Sequence, residues 1–187
     1  MEHLANSMTE ELGFFSPRGS LDGELEGDFK EKERFIGFKI TDEIFYLPIS
    51  NVSEIIMLVP ITYVPRSMEY IEGIINVRGT IIPTINLRKM MGYSRTEASM
   101  SSRIIIVRTE KAYAGLLVDG ITVVASFSPS EIEIQALPTK NPNVDIITRV
   151  TKVEGKISGI LDSSKILECA SYEKNKNSVE VSEKAAS

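Results

Sequence analysis

The strongest constraint on the fold is a series of short aliphatic segments, separated by turn-forming residues, which extends from Arg34 to about Glu168. Runs such as Thr41-Asp42-Glu43, Asp119-Gly120 and Glu154-Gly155 divide one segment from the next. Roughly ten short strands at such spacing are typical of a β-sandwich or barrel, so we predict an all-β domain. The spacing alone leaves open whether these strands form one large sheet or two small barrels. The predicted strands read RFIGFKI, IFYLPI, VSEIIML, the two arms of GIINVRGTIIPTINLR, SRIIIV, AYAGLLV, ITVVASF, EIEI, IITRVTKVE and KISGIL.

Helical patterns are few and short in the same region. Three segments have the composition of a helical turn or two, and they lie near Met68–Glu72, Leu87–Met91 and Ser163–Leu167. Each is shorter than the average helix of a globular protein. We therefore expect these pieces to connect strands and not to form a layer of their own.

Composition divides the chain into a central domain and two tails. Residues 1–33 are acidic, and their glycines and Pro17 interrupt any helical run, so we predict a disordered N-terminal tail. Residues 170–187 are polar and are predicted to form a C-terminal tail. Residues 34–169 hold nearly all of the β-branched and aliphatic side chains and form the predicted domain.

Net charge and cysteine content restrict the compartment and the partners. The formal net charge is −5 at pH 7, which argues against general binding to nucleic acid, because phosphate backbones attract basic surfaces. Cys169 is the only cysteine, which excludes an internal disulfide and is typical of a reducing compartment. No stretch has the length and apolarity of a membrane span, and the N-terminus lacks the apolar core of a signal peptide. We therefore expect a cytoplasmic protein that neither binds nucleic acid nor inserts into a membrane.

Residues that support catalysis or bind metals are scarce in the predicted domain. The one histidine is His3, in the predicted tail, so no cluster of histidine and cysteine can hold zinc in the domain. The sequence also lacks the glycine-rich loops that bind phosphate groups. Glu54, Asp119 and Asp162 could act as acids or bases, but nothing in their spacing brings two of them together. We therefore predict a binding protein with no catalytic residues, no metal site and no cofactor.

The segment GIINVRGTIIPTINLR combines strand-forming residues with polar side chains. Its arms flank a turn at Arg78-Gly79, and counting by two places Asn76 and Arg78 on one face. Pro83 cannot donate a hydrogen bond to a sheet, so we expect its strand to be an edge strand or to bulge there. Two interpretations of the polar residues remain open. Arg78 and Asn86 are turn residues facing solvent, or they belong to a contact surface with an arginine at its centre.

Two motifs, taken together, resemble those of the CheW family of chemotaxis coupling proteins. GIINVRGTIIPTINLR is similar to the family's N-hydrophobic-R-G turn, which is followed by a strand with an internal proline and an L-R ending. YAGLLVDGITVV is similar to the hairpin with a V-D-G turn that follows it in the family. Upstream, FKITDEIFYLPISNVSEII resembles the family's opening strands, including the V-x-E-I element. The resemblance extends from Arg34 to about Leu167.

The resemblance implies both a fold and a function. The fold would be two small, five-stranded SH3-like barrels with a groove between them and short helices. The function would be that of a non-enzymatic adaptor joining chemoreceptor tips to the regulatory domain of the histidine kinase CheA. The receptor tip would lie in the groove as a helix, and barrel-to-barrel contacts would join the kinase domain or further copies of the chain in rings. The protein would be recruited from the cytoplasm to membrane-associated receptor arrays.

Matching positions imply which residues contact partners. Arg78 of the turn and Glu54 of the V-x-E-I element would be charged contacts, and Val52 would be an apolar contact beside Glu54. Other matching positions are expected to shape turns, Asn76 by bonding the backbone and the glycines by their conformational freedom. The predicted turn-structuring residues are Gly73, Asn76, Gly79, Asp119 and Gly120.

Several positions depart from the family pattern. Asn86 stands where the family usually has aspartate, Val123 stands at a commonly polar position, and Ser158-Gly159 interrupts the last hydrophobic strand. With the long acidic N-terminal segment, these departures favour an alternative in which the protein is a paralogue serving a pilus-type, non-flagellar array. A second alternative is an unrelated small β-barrel that binds oligonucleotides or sugars. It would require a basic or aromatic-rich face, whereas this chain is acidic and has no tryptophan.

Overall fold

The computed structural model describes residues 32–94, 98–110, 112–141 and 144–170. The two predicted tails, with His3 and Pro17, lie outside these residues except at their inner ends, where Lys32, Glu33 and Ala170 are described. Glu33 already belongs to the first strand. In chain order, the strands of the described residues are β1 Glu33–Ile40, β2 Glu43–Pro48, β3 Val52–Met57, β4 Ile71–Val77, β5 Thr80–Asn86, β6 Arg103–Arg108, β7 Tyr113–Val118, β8 Gly120–Phe127, β9 Ile132–Glu133, β10 Ile147–Val153 and β11 Lys156–Leu161.

Six of these strands form the first sheet, in the order β8-β1-β2-β11-β10-β9. Neighbouring strands are antiparallel except β2 and β11, which run parallel and pair at Tyr46 and Ile160. The hairpins β1–β2 and β10–β11 turn at residues with positive φ, Thr41 at 57° and Glu154 at 50°. Since β9 has only two residues, the sheet consists of five full-length strands and one short addition.

The other five strands form the second sheet, in the order β3-β6-β7-β5-β4. All neighbours are antiparallel except β5 and β7, which run parallel. The chain therefore begins in the first sheet, forms the whole second sheet from β3 to β7, and returns to the first sheet at β8. These two sheets confirm the two-subdomain β architecture that the resemblance implied.

Each sheet covers a small apolar cluster of its own, and a larger cluster lies between the two sheets. In the first sheet the aromatic rings of Phe35 and Tyr46 pack on Phe127, with ring centroids 5.4 and 5.2 Å from it. The central core receives side chains from both sheets, so the two subdomains pack directly on each other. The cluster of the second sheet is formed by Ile75, Ile82, Ile104 and Ile106. Fully buried members of the central core are Phe38, Ile40 and Leu47 from the first sheet and Ile85, Ile105, Val107 and Leu116 from the second.

Two of the three predicted helical segments are confirmed. Helix α1 spans Leu87–Met90, and residues 163–170 are helical. The prediction near Met68–Glu72 is wrong, because this segment starts strand β4 after a turn. The reason is pairing with β5: Ile71 lies opposite Ile85, and the carbonyl of Tyr70 accepts a hydrogen bond from the N–H of Asn86 at 2.7 Å.

The strand that contains Pro83 is an interior strand with no register shift at Pro83, whereas the expectation was an edge strand or a bulge there. β5 lies between β4 and β7 in the second sheet. Its pairing with β7 begins only at Thr84, one residue beyond Pro83. Proline therefore lies in the part of β5 that pairs on one side alone, with Ile74 of β4 opposite. Proline is tolerated in an interior strand at a position that pairs with only one of the two neighbouring strands.

Candidate partner-binding surface

The turn between β4 and β5 presents Arg78 to solvent. Arg78 has a φ of 52° and Gly79 has a φ of 87°, the combination found in tight hairpin turns that match the twist of their strands. The side-chain oxygen of Asn76 accepts a hydrogen bond from the N–H of Gly79 at 2.8 Å. Because an arginine in this backbone conformation is uncommon, the Asn76 bond helps to hold Arg78 in place.

Arg78 forms an ion pair with Glu54, which lies on β3. The guanidinium Nη2 is 3.2 Å from Oε2 of Glu54, and the two side chains are 84% and 27% exposed. β3 is one edge strand of the second sheet, and Arg78 follows β4, which is the other edge strand. The pair therefore joins the two edges of the sheet. An ion pair this exposed contributes little to stability, so the positive charge is available to a partner.

Val52 lies two residues before Glu54 and is only partly accessible. Its side chain is half-buried and packs against the central core. It pairs with Val107 of β6 across the sheet. Val52 therefore fixes the position of this end of β3 and offers part of its surface to a contact.

An open groove of about 980 Å³ lies beside this end of β3. Its walls come from the turn before β3, the β6–β7 hairpin and the helical residues 163–170. The side-chain amide of Asn51 donates to the hydroxyl of Ser163 at 2.8 Å, which ties the first wall to the third. Most of its lining residues are polar or charged, and Ala112, Tyr113 and Leu167 are the apolar ones. Its lining residues are Ser50, Asn51, Arg108, Thr109, Glu110, Ala112, Tyr113, Ser164, Leu167 and Glu168.

Gly73 lies where the segment before β4 crosses closely over that strand. The backbone of Thr62 pairs with Ile74 through two hydrogen bonds of 2.9 Å. A Cβ at position 73 would overlap the carbonyl oxygen of Thr62 and lie 2.8 Å from its carbonyl carbon. The backbone φ of Gly73 is also positive, at 146°. Glycine is therefore needed at this position for space as well as for conformation.

Asp119 lies where the chain passes from the second sheet back to the first, directly before Gly120. Its carboxylate accepts a hydrogen bond from the N–H of Thr41 at 2.6 Å and another from Nε of Arg88 at 3.2 Å. A second guanidinium nitrogen of Arg88 also contacts it. Asp119 therefore does more than form a turn. Sequence reasoning did not identify Arg88 and Thr41, because their distance from Asp119 along the chain gives no sign of the contact.

Asn86 has a structural role at the start of helix α1. Its side-chain oxygen accepts a hydrogen bond from the N–H of Lys89 at 3.1 Å, which caps the helix. Its amide nitrogen donates to Oε1 of Glu72 at 2.8 Å, and the same oxygen is 2.8 Å from Nζ of Lys89. An aspartate, the usual family residue, could cap the helix but could not donate to Glu72.

The three carboxylates considered for acid–base chemistry lie in separate environments. Glu54 pairs with Arg78, and Asp119 pairs with Arg88. Asp162 accepts hydrogen bonds from the backbone of residues 164 and 165, at the start of the helical residues 163–170. Among the described residues, no group of three or more histidine, cysteine, aspartate or glutamate side chains is arranged to hold a metal ion. A search of the same residues finds no helix with the length and apolarity that crossing a bilayer requires.

Comparison with known proteins decides the family. The sequence model described as "CheW-like domain" matches residues 34–170. The chain belongs to the CheW-like family. Its sequence is 32% identical to the chemotaxis protein CheW of Thermotoga maritima over 133 residues, which cover 71% of this chain and 86% of the relative. The crystal structure of the scaffolding protein TtCheW from Thermoanaerobacter tengcongensis aligns with a TM-score of 0.65 and 34% identity, over 70% of this chain and 89% of that one.

The same comparisons confirm the coarser part of the function implied by the resemblance, that of a chemotaxis coupling adaptor. Members of the CheW-like family are scaffolds in chemotaxis, and this chain is a chemotaxis adaptor of that family. A more distant relative is Protein PilI of Pseudomonas aeruginosa, 28% identical over 86 residues, which cover 46% of this chain and 48% of that protein. The chemotaxis protein CheW of Thermotoga maritima matches more of the chain at higher identity than PilI does, so the comparisons support the main interpretation better than the pilus-type alternative.

Proposed function

We propose that this protein couples chemoreceptors to the histidine kinase CheA without catalysing a reaction itself. In the cytoplasm, at membrane-associated receptor arrays, it binds the helical tip of a receptor and the regulatory domain of the kinase. The observation that carries the proposal is the exposed ion pair between Arg78 and Glu54 on the second sheet, whose β6–β7 hairpin also lines an open groove. Charged and apolar groups at such a place are suited to protein contacts and not to the binding of a small molecule.

The groove beside Val52 is suited to a helical receptor tip. A helix with its side chains is about 10–12 Å across, and the groove is an open one of about 980 Å³ lined by polar and apolar residues. Arg108, Glu110 and Glu168 line the groove and supply charges of both signs. A helix presenting an apolar stripe with polar flanks would bury the stripe chiefly against Tyr113, which is 43% exposed.

The hairpin that carries Arg78 also exposes an apolar residue. Ile81, three residues further along, is 59% exposed at the start of β5. An arginine next to an exposed aliphatic side chain is a common centre of protein interfaces. We assign this hairpin to a barrel-to-barrel contact, with the regulatory domain of the kinase as first partner and further copies of the chain as second.

The pilus-type alternative differs in the identity of the partners and not in the type of contact. The likeness to PilI supports it over less than half of either chain. Binding to the kinase of a flagellar system would favour the main proposal. Binding only to the kinase of a non-flagellar system would favour the alternative.

Calorimetric titration of the purified protein with an isolated regulatory domain of the kinase from the same cell tests the proposal. The variants Arg78→Ala and Glu54→Ala are titrated in parallel, and receptor tip is added in a second series. The matched control is Arg149→Ala, which breaks an arginine–glutamate pair of 2.9 Å with Glu33 in the first sheet. We expect one-to-one binding and a loss of affinity of roughly five-fold or more for Arg78→Ala, since arginines at interface centres often contribute more than about 1 kcal/mol.

The same titrations can contradict the proposal. The absence of heat with any cognate kinase domain, at concentrations well into the micromolar range, would exclude the coupling function and leave the fold unaffected. Equal losses of affinity for Arg78→Ala and for the Arg149→Ala control would show that the hairpin has no special role in binding.

A further inference from the structure

A polar contact links the two subdomains at the point where the chain passes between them. Asp119 follows β7 of the second sheet and precedes β8 of the first. Its N–H donates to the carbonyl oxygen of Lys39 on β1 at 3.1 Å. Its carboxylate binds the N–H of Thr41 in the β1–β2 turn and the guanidinium of Arg88 on helix α1. One residue thus holds both a hairpin of the first sheet and the helix that follows β5 of the second.

The contact is directional and largely shielded from solvent. The side chains of Arg88 and Asp119 are 14% and 31% exposed. Two guanidinium nitrogens meet the two carboxylate oxygens, a geometry that fixes the mutual orientation of both groups. The turn that receives the carboxylate has a non-glycine residue with positive φ, Thr41 at 57°. The bond to its N–H therefore also supports an uncommon backbone conformation.

Packing in the central core does not replace the Asp119 contact in fixing the relative orientation of the two sheets. Apolar burial stabilises the association of the two sheets, but the hydrophobic effect itself is not directional, whereas the bidentate pair fixes the mutual orientation of the two groups that it joins. The pair between Glu72 and Lys89 provides a comparison within the same region. Its side chains are 22% and 15% exposed and its charged atoms are 2.8 Å apart. Both residues belong to the second subdomain, so this pair does not bridge the two sheets.

We propose that Asp119 is a positioning residue that fixes the orientation of the first subdomain relative to the second. The consequence for signalling rests on the proposed coupling function. An adaptor can transmit a change from receptor to kinase only if its partner surfaces move as one body, because coupling depends on different contacts in the two kinase states. Loss of the Asp119 contact should therefore weaken control of the kinase more than it weakens the binding of either partner.

The positioning role can be measured on the protein alone. Spin labels are attached at Met57→Cys on β3 and Ser126→Cys on β8, both exposed positions, in a Cys169→Ser background. Electron spin resonance then gives the distribution of distances between the two subdomains. We expect Asp119→Asn to broaden this distribution, because the amide keeps an acceptor for Thr41 but loses the charge that holds Arg88. The matched control Glu72→Gln should leave its width unchanged.

A second variant keeps the test valid if Asp119→Asn does not fold. Arg88→Lys keeps the positive charge but loses the planar fork that contacts both carboxylate oxygens, so an intermediate broadening is expected. Distributions as narrow as that of the unsubstituted protein in both variants would overturn the positioning role. Equal broadening in Glu72→Gln would also overturn it, because the effect would then not depend on a contact between the sheets.

The functional consequence is tested in a reconstituted complex of receptor, kinase and the full chain. For Asp119→Asn we expect dissociation constants for both partners within about two-fold of the original. The receptor-dependent change in kinase activity should fall by roughly five-fold or more, within the usual range of coupling between sites. Unchanged kinase control with a broadened distance distribution would exclude the consequence for signalling. Failure of the unsubstituted protein to bind either partner would instead exclude the proposed function, and the distance measurement would still decide the positioning role.

Discussion

Arg78 combines an exposed charge with an uncommon backbone conformation, and the two properties depend on different neighbours. Its guanidinium pairs with Glu54 at 3.2 Å, while its turn is held by the bond between Asn76 and the N–H of Gly79. A substitution at Arg78 thus removes a charge, whereas a substitution at Asn76 weakens the turn. Binding and stability should separate at these two positions.

The first prediction concerns this separation. Asn76→Ala should lower the free energy of unfolding by about 1 kcal/mol, the usual contribution of one hydrogen bond. Arg78→Ala should change it by less than about 0.5 kcal/mol, because the ion pair is exposed. Urea denaturation of both variants gives the values. A larger loss for Arg78→Ala than for Asn76→Ala would contradict the assignment of roles.

The second prediction concerns Cys169. Burial, and then the negative charges of Glu168 and Asp145, raise the pKa of its thiol above the ordinary value. A raised pKa leaves less thiolate at neutral pH, and the thiolate is the reactive form. Alkylation of the native protein should therefore be slower at pH 8 than alkylation of the urea-unfolded chain, and the difference should shrink as pH increases. Equal rates at pH 8 would contradict the burial of this thiol.

Among the site residues, those in sequence motifs could be named from the sequence, but their contacts could not. Glu54 and Arg78 belong to motifs that resemble the family, yet they are 24 residues apart and lie at opposite edges of the second sheet. Arg88 and Asp119 are 31 residues apart along the chain. Their contact depends on how two sheets pack, which the spacing of residues along a strand does not reveal.

At the scale of elements, edge strand β4 makes a close backbone contact with the segment that precedes it. This segment pairs with Ile74 at Thr62, and Gly73 makes room for it. The Arg78–Glu54 pair instead links the turn after β4 to β3, the opposite edge strand. The first contact requires close backbone approach, whereas the second is a weak, exposed ion pair.

The third prediction compares two glycines of this hairpin. Gly73→Ala should lower the free energy of unfolding by roughly 3 kcal/mol, since it adds a backbone overlap to an unfavourable φ. Gly79→Ala is the matched control, because its φ is also positive but no atom lies within 4 Å of the added Cβ. Gly79→Ala should lower the free energy of unfolding by about 1 kcal/mol, because only the unfavourable backbone conformation contributes. Equal losses for both would show that the crossing at Thr62 does not restrict position 73.

The elements themselves were largely predictable from local sequence, with one instructive error. The strands follow from the alternation of apolar and polar side chains and from the turn residues between them. The helical segments, Leu87–Met90 and residues 163–170, follow from local composition. Met68–Glu72 has the composition of a helical turn but pairs with β5 as the start of β4. Local composition cannot show that a partner strand is available, so tertiary pairing determined the outcome there.

At the scale of the whole molecule, the central core joins the two subdomains into one folding unit. Buried side chains of both sheets contact one another in this core, and the chain passes between the sheets at Asn51 and again at Asp119. Neither subdomain encloses a complete core by itself, because each has an apolar face that only the other subdomain covers. We therefore expect the subdomains to unfold together.

The fourth prediction follows from the shared core. Thermal unfolding should be a single transition with equal calorimetric and van't Hoff enthalpies. Leu116→Ala, at a fully buried position of the central core, should lower the free energy of unfolding by about 2–5 kcal/mol and leave the transition single. Two separable transitions, in either protein, would show that the subdomains fold independently.

The two-subdomain fold was predictable only through the resemblance to the family. Alternation along the strands allowed one large sheet and two small barrels equally. Both sheets contain one parallel pair, β2 with β11 and β5 with β7, and these pairings join strands far apart in the sequence. Turn residues identify neighbours along the chain but not such long-range partners.

The most direct test of the central claim is whether the protein bridges its two partners. Vesicles carrying receptor cytoplasmic domains are sedimented with the purified kinase, with and without this protein, and the kinase in the pellet is measured. The coupling function predicts that kinase sediments only when the protein is present, and that Arg78→Ala reduces the amount while Arg149→Ala does not. Kinase that sediments equally with and without the protein, or remains in solution in both cases, would contradict the claim that this chain is the link between receptor and kinase.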